Sequence, residues 1–277
     1  MTAGLVHMPI FYINLANRPE RRAYMEAQFQ SLGIAAERIE AVTPADLSAG
    51  DRNNYCNPER RRWMTALEFA CNRSHQAAWQ RLLVLGASHG LILEDDAVLS
   101  RSLPKLLAAI DRDEKSPSVL RIETLAREPR RMGPVEREIL PGVGLRRCYT
   151  RDAGTGGYIL TRQAATLLIG RPELNTELID AVLFNPFTPL AKSLDVLYCD
   201  PALSIQQSVL GEEGPEARSD LESSRDEKYR ERKKRPMLKW AHKIQGWIEY
   251  DAVVAVRRIQ QLGRRDIRDM VVGFRAD

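Results

Sequence analysis

Only four cysteines and four histidines occur in the 277 residues. Cys56, Cys71, Cys148 and Cys199 are widely spaced, and no two form a CxxC pair. That argues against a structural zinc site, and nothing demands a disulfide; the four read as reduced, packed thiols. No stretch approaches the roughly 20 apolar residues that cross a bilayer. The opening, "MTAGLVHMPIFYINL", lacks the basic start and long apolar run of a secretory signal, so a cytoplasmic location is expected. There is no internal repeat, no low-complexity tract, no GxGxxG and no Walker loop. The His/Asp clusters common in metal phosphohydrolases are also absent.

What remains is an ordinary globular composition, 44% apolar and 28% charged, long enough for a real core. The net charge of +4 is unevenly spread. From Arg218 onward there are 16 Lys and Arg against 10 Asp and Glu, a balance of +6, which leaves residues 1–217 at −2. No nucleic-acid partner is expected.

"IFYINL" (10–15) reads as a central strand and "RPERRAYMEAQFQSLG" as a helix, with Pro19 in its first turn and Gly33 as its stop. "ERIEAV" (37–42) is a second strand, and 43–63 is loop-like. Residues 65–86 have strong helical spacing, and "GLILEDD" (90–96) is a third strand. The β-α-β-α-β alternation predicts an α/β domain with a mostly parallel central sheet. Further strands are expected at 118–124, 145–150 and 195–200, with a long loop over 126–144. "GTGGYILTRQAATLLIG" (154–170) reads as a glycine-rich entry, a short strand and a helix. The expected organisation is a catalytic domain over 1–210, a charged linker over 211–236 and a basic amphipathic helical tail over 237–277. The tail's apolar stripe runs from Leu238 to Leu262 in steps of three and four, bordered by Trp240 and Trp247. Such a helix can lie on an anionic membrane surface, or pack on the domain or on a second subunit.

Four stretches carry candidate chemistry. In "LILEDDAVLS", Glu94 and Asp96 would share one side of a strand and Asp95 would face the other. Two carboxylates at the carboxyl end of a parallel strand can approach one Mg²⁺ or Mn²⁺ whose shell phosphate oxygens complete; a helix cap or a solvated turn is the alternative. In "EFACNRSHQAAW", Glu68, Cys71 and His75 fall near one helical face, as a site or around a hydrogen-bonded core histidine. Ser74 and His75 are adjacent and point apart, so they are no catalytic dyad. In "INLANRPERR", Asn14 ends a strand and Arg18, Arg21 and Arg22 follow, either to grip phosphate or a nucleobase or as a solvated first turn. In "DAGTGGYILT", Gly154, Gly156 and Gly157 permit close backbone approach or positive φ.

Together, and in this order, "FYINLANRPERR", "EFACNRSHQAAW", "LILEDDAVL", "GTGGYILTRQAATLL" and "ELIDAVLF" resemble glycosyltransferase family 25, the lipooligosaccharide and procollagen galactosyltransferase group. The resemblance covers about residues 9–209. Leu67 stands where the family usually has glycine, and Asn72 and Arg73 follow the Cys where a small residue is common. The resemblance implies a GT-A sandwich that binds a nucleotide sugar and transfers a hexose, with inversion, from UDP-galactose or a similar donor. It implies that Glu94 and Asp96 hold Mn²⁺ or Mg²⁺ and the donor diphosphate, that Asp95 contacts ribose or sugar, and that Asn14, Arg18 and Arg21 line the nucleotide pocket. Ser74 and His75 would lie near the donor or shape its pocket. An inverting transfer needs a base for the acceptor hydroxyl. Asp180 in "ELIDAVL" is the first candidate and Asp152 the second; a surface acid or helix cap is the alternative for Asp180. The expected acceptor is a saccharide or lipid-linked oligosaccharide at the inner face of the cytoplasmic membrane. A metal phosphohydrolase and an inactive GT-A-like binding protein remain as rivals.

Overall fold

The computed structural model of the protein describes residues 8–60, 62–211, 255–256, 264 and 266–277. The chain opens with β1 (Ile10–Asn14), α1 (Pro19–Leu32), β2 (Glu37–Glu40), α2 (Ala49–Tyr55), α3 (Ala66–Leu85) and β3 (His89–Glu94). Next come β4 (Ala97–Leu99), α4 (Leu103–Asp111), β5 (Val119–Arg121), β6 (Glu123–Thr124), β7 (Arg130–Leu140) and β8 (Val143–Cys148). The order ends with β9 (Gly157–Thr161), α5 (Arg162–Leu168), α6 (Ile179–Phe184), β10 (Val196–Asp200), β11 (Ser204–Gln206), α7 (Gln207–Leu210) and β12 (Arg268–Met270).

Local chemistry explains the early elements. Pro19 pre-sets the first turn of α1, and Gly33 ends it in the left-handed conformation. Thr65 and Glu68 close a capping box on α3, satisfying two backbone N–H groups that would otherwise lack partners. β1 alternates its apolar side chains between two cores. Phe11 and Ile13 join Trp79, Leu82 and Ile92 on one face. Ile10 and Tyr12 join Met25, Phe29, Leu91 and Leu93 on the other. Helices therefore cover both faces of the sheet, α3 and α5 on one side and α1 and α4 on the other.

The nine-stranded sheet runs β12-β7-β8-β10-β5-β9-β3-β1-β2, and β4-β11-β6 form a smaller sheet. The expected mostly parallel sheet needs correction. Strands β2, β1 and β3 are parallel, as their helical crossovers require. Beyond β3 the sheet is mixed: β9 is antiparallel to both β3 and β5, and β8 is antiparallel to β7 and β10. The long loop expected over 126–144 is mostly β7 of the hairpin β7–β8. Its strand signal is masked because β7 is charged and bulged, with register shifts between Met132 and Val135 and again up to Leu140. Within the region expected to be loop-like, α2 forms under a Ser48 cap.

All four cysteines are free; Cys148 and Cys199 are buried and Cys56 and Cys71 half-buried. No helix among the described residues is long and apolar enough to cross a membrane. The expected linker and the stripe from Leu238 to Leu262 lie outside the described residues, apart from Gly211, Ala255 and Val256. The end of the expected tail is not helical. β12 pairs with β7, and the residues after it stitch back across the domain: Thr124 Oγ1 donates to the Val272 carbonyl (2.7 Å) and Ala202 N to the Gly273 carbonyl (2.8 Å).

Candidate active site at the carboxyl ends of β1 and β3

β1 has β2 on one side and β3 on the other: the first crossover carries the chain from β1 out to β2, and the second carries it back past β1 to β3. Ligands of open α/β sheets bind outside the carboxyl ends of strands at such a switch point. Asn14 ends β1 and Glu94 ends β3, while Asp95 and Asp96 form the turn into β4.

The three acids have different surroundings. Asp95 is paired: Oδ2 accepts from Asn14 Nδ2 (2.8 Å) and Oδ1 from Arg21 Nη1 (3.0 Å). Asn14 is fully committed too. Nδ2 also donates to the Arg18 carbonyl (3.1 Å), and Oδ1 accepts from Arg38 Nε (3.0 Å). Both amide hydrogens and the amide oxygen are thus engaged within the protein, so Asn14 organises this side rather than offering a free amide to a ligand. Arg18 lies at the rim, 4.0 Å from Glu20.

Glu94 faces the other way. Its Oε1 accepts from the Thr155 hydroxyl and lies 3.5 Å from His75 Nε2, while about a quarter of the side chain (26%) stays exposed. Burial pushes its pKa up, but His75, Thr155 and Arg21 outweigh that and hold it below the ordinary value. The buried Tyr158 hydroxyl accepts from Trp79 Nε1 (2.8 Å) and lies 2.9 Å from His75 Nδ1. Either Tyr158 or His75 Nδ1 can be the donor in that contact; where Tyr158 donates, the imidazole hydrogen sits on Nε2, toward Glu94.

Asp96 is the acid in want of a partner. Its Oδ1 is buried without a hydrogen bond, and its pKa is pushed up to about 7, by burial first and by the charge of Glu94 second. Glu94 acts on it more strongly than Asp95 does, in keeping with Glu94 and Asp96 sharing a side. Among the described residues, no three His, Cys, Asp or Glu side chains gather closely enough to hold a metal. Two neighbouring carboxylates, one with a buried unpartnered oxygen, fit a hard divalent cation whose remaining ligands are phosphate and water oxygens.

The glycine-rich loop joins this group to Asp180. Asp180 lies in the first turn of α6, 6% exposed. Its Oδ2 accepts from Gly154 N (3.3 Å) and its Oδ1 has no partner. Thr155 reaches Glu94, and the Gly156 carbonyl accepts from Glu94 N (3.1 Å). Gly154 has φ +89°, which favours glycine, and a Cβ on Gly156 would fall 2.5 Å from Glu123 Oε1, so a side chain there would displace the Glu123 carboxyl.

Asp152 sits elsewhere in the network, with Oδ1 2.6 Å from Arg130 Nε and Oδ2 3.1 Å from Arg121 Nη1. Ser74 does not reach the acids: its Oγ accepts from Val42 N (2.8 Å) and donates to the Ala70 carbonyl (3.0 Å), pinning α3 to the chain after β2. Asn72 was not singled out as a site residue, yet it anchors α6. Its Nδ2 donates to the Leu174 and Glu177 carbonyls (2.8 Å each), and its Oδ1 accepts from Ile179 N (2.9 Å), one residue before Asp180. Arg38, Thr155, Arg121 and Glu123 were likewise missed. Glu123 is fully buried, and burial raises its pKa to about 8 against the pull of Arg121, with Glu94 and Asp96 pushing it further. A charged pair flanking Ile122 inside an apolar strand was the signal available for the last two.

The family profile of glycosyltransferase family 25 (LPS biosynthesis protein) matches residues 7–182, well over half of the chain and all of the site residues just described. The chain belongs to glycosyltransferase family 25. As a family 25 glycosyltransferase it is similar to the lacto-N-neotetraose biosynthesis glycosyltransferase LgtE of Neisseria meningitidis serogroup B (strain ATCC BAA-335 / MC58), 28% identical over 246 residues, covering 80% of this chain and 83% of that one. LgtB of Neisseria gonorrhoeae is 27% identical over 210 residues, covering 70% of this chain and 73% of its own. A glycosyltransferase 25 family member of Drosophila melanogaster is 41% identical over 95 residues, 31% of this chain and 16% of the fly protein.

Proposed function

We propose that this family 25 enzyme transfers a hexose, galactose first among the candidates, from a UDP-sugar to a saccharide acceptor with inversion, on a GT-A-type scaffold. The observation that carries the reading is the loop Gly154–Gly156, which touches Glu94 on one side and Asp180 on the other. On this reading a single loop bridges the leaving-group site and the base.

Glu94 and Asp96 would hold a divalent cation, which when bound neutralises the donor diphosphate and stabilises it as it leaves. Arg18 and Arg21 would face the donor on the Asp95 side, where Asp95 is already oriented by Asn14. Asp180 takes the proton of the acceptor hydroxyl as that oxygen attacks the anomeric carbon from the side opposite the diphosphate. Its unpartnered Oδ1 is the accepting atom, while Gly154 N–H holds Oδ2. Asp152 is the weaker candidate because both of its oxygens are engaged by guanidinium groups. A saccharide acceptor is supported by the names of the relatives, which assign them to lacto-N-neotetraose biosynthesis.

The test is transfer by the purified full chain with Mn²⁺, a panel of nucleotide sugars and a β-galactoside- or glucoside-terminated oligosaccharide. The expected result is UDP release that depends on both acceptor and metal, greatest with UDP-galactose. Turnover with no UDP-sugar, or phosphate release from a simple ester in its place, contradicts the reading.

A further inference from the structure

Arg121 is the most deeply buried cation among the described residues, with no side-chain exposure, at the end of β5. It is also incompletely bonded: Nε has no hydrogen-bond partner, and Nη1 meets Asp152 Oδ2 at 3.1 Å as an ion pair without hydrogen-bond alignment. A buried ion pair is a weak source of stability, and an apolar replacement of similar volume is often no worse. The arrangement around Arg121 gives it a different use.

One guanidinium holds both halves of the Gly154–Asp180 contact. On the loop side, Nη1 pairs with Asp152, and Nη2 donates to the Ala153 carbonyl and to Glu123 Oε2 (3.0 Å). On the helix side, its guanidinium carbon lies over the Phe184 ring, 4.7 Å from the centre, on α6 with Asp180, and 5.7 Å from the centre of the Tyr198 ring. Asp152 N donates to the Phe184 carbonyl (3.2 Å), tying the two halves together under the same cation. The next two loop residues, Gly154 and Thr155, reach Asp180 and Glu94.

We propose that Arg121 is a positioning residue for the transfer reaction: it clamps the Asp152–Gly156 loop against α6 and so fixes the distance between the Asp180 base and the Glu94 end of the donor site. This rests on the roles assigned to Asp180 and Glu94 above. Arg121 touches neither donor nor acceptor. A lysine cannot replace it, because an ammonium offers neither the planar face for Phe184 nor a fork that spans Asp152, Ala153 and Glu123 at once.

The experiment measures kcat and donor KM, per folded molecule, for the full-length wild type, Arg121→Lys and Phe184→Leu. The leucine variant keeps the packing apolar and removes the ring under the guanidinium. Displacing a reacting group slightly is costly, so Arg121→Lys is expected to lose about 10- to 100-fold in kcat with donor KM within about twofold of wild type. Phe184→Leu is expected to move kcat the same way by less, and it stands alone should the lysine variant fail to fold. A role confined to stability would lower the folded fraction and leave kcat per folded molecule unchanged, and that result overturns the proposal. A wild type that transfers no hexose overturns the assigned function instead, so the two failures are distinguishable.

Discussion

Two sides of one strand end differ in a single respect, whether their charges have partners. On the Asp95 side, Asn14, Arg21, Arg38 and Asp95 form a closed set in which both oxygens of Asp95 and every polar group of Asn14 are used. On the Glu94 side, Asp96 Oδ1, Asp180 Oδ1 and Glu123 Oε1 are buried and unpartnered. Leaving such groups unpaired costs free energy that folding alone does not return. On the proposed reading the closed side would serve as scaffold and binding wall, and the open side is where a cation, a substrate proton or both would belong.

The largest test of that contrast is Asp180→Asn. Loss of a general base costs about 10²–10⁴-fold. The variant is expected to lose kcat on that scale in a steady-state transfer assay while its donor KM stays near wild type. A kcat within a few-fold of wild type would move the base elsewhere.

Asn14→Ala acts on the closed side and should show the opposite pattern. It strips one hydrogen bond each from Asp95, Arg38 and the Arg18 carbonyl, so a stability loss of about 1–3 kcal/mol is expected by denaturant unfolding. Donor KM should rise more than kcat falls. A change in kcat alone would blur the distinction between the two sides.

The smallest effect concerns pH. The ordinary pKa of Glu123, 4.5, is raised by burial to about 8 in the folded chain. The folded state then binds a proton that the unfolded chain has released. The stability that this provides is fully present below about 4.5 and is lost as pH rises toward about 8. In metal-free buffer, Glu123→Gln should flatten the decline in unfolding free energy between pH 5 and 8. An unchanged slope would show that Glu123 ionises as readily folded as unfolded.

The legible parts of the fold are those with local causes. Pro19 and Gly33 delimit α1, Thr65 and Glu68 start α3, and apolar alternation marks β1 and β3. Those elements carry Asn14, His75 and Glu94, so half of the site could be placed from its neighbours in sequence. The other half depends on distant partners. β9 runs antiparallel between β3 and β5, which no spacing within "GTGGYILT" encodes. β7 carries Arg130, Arg131, Glu136, Arg137 and Glu138, a loop-like composition in a strand whose charges find Asp152, Asp113 and Arg147. The role of Asn72 rests on a hydrogen bond to Ile179, 107 residues on. Ser74 was legible as a polar residue on α3, but its partner, the Val42 amide, shows that it shapes the wall rather than touching the acids.

The contrast between the two sides turns on Asp96, whose Oδ1 is buried without a partner. The most direct measurement is calorimetric titration of UDP-galactose into the full chain, with and without Mn²⁺, for wild type and Asp96→Asn. The account predicts that Mn²⁺ tightens donor binding by at least about tenfold in the wild type, and that the variant, equally stable to denaturant, loses that increment. Donor affinity that is the same with and without metal, or an Mn²⁺ increment that survives in Asp96→Asn, would contradict it.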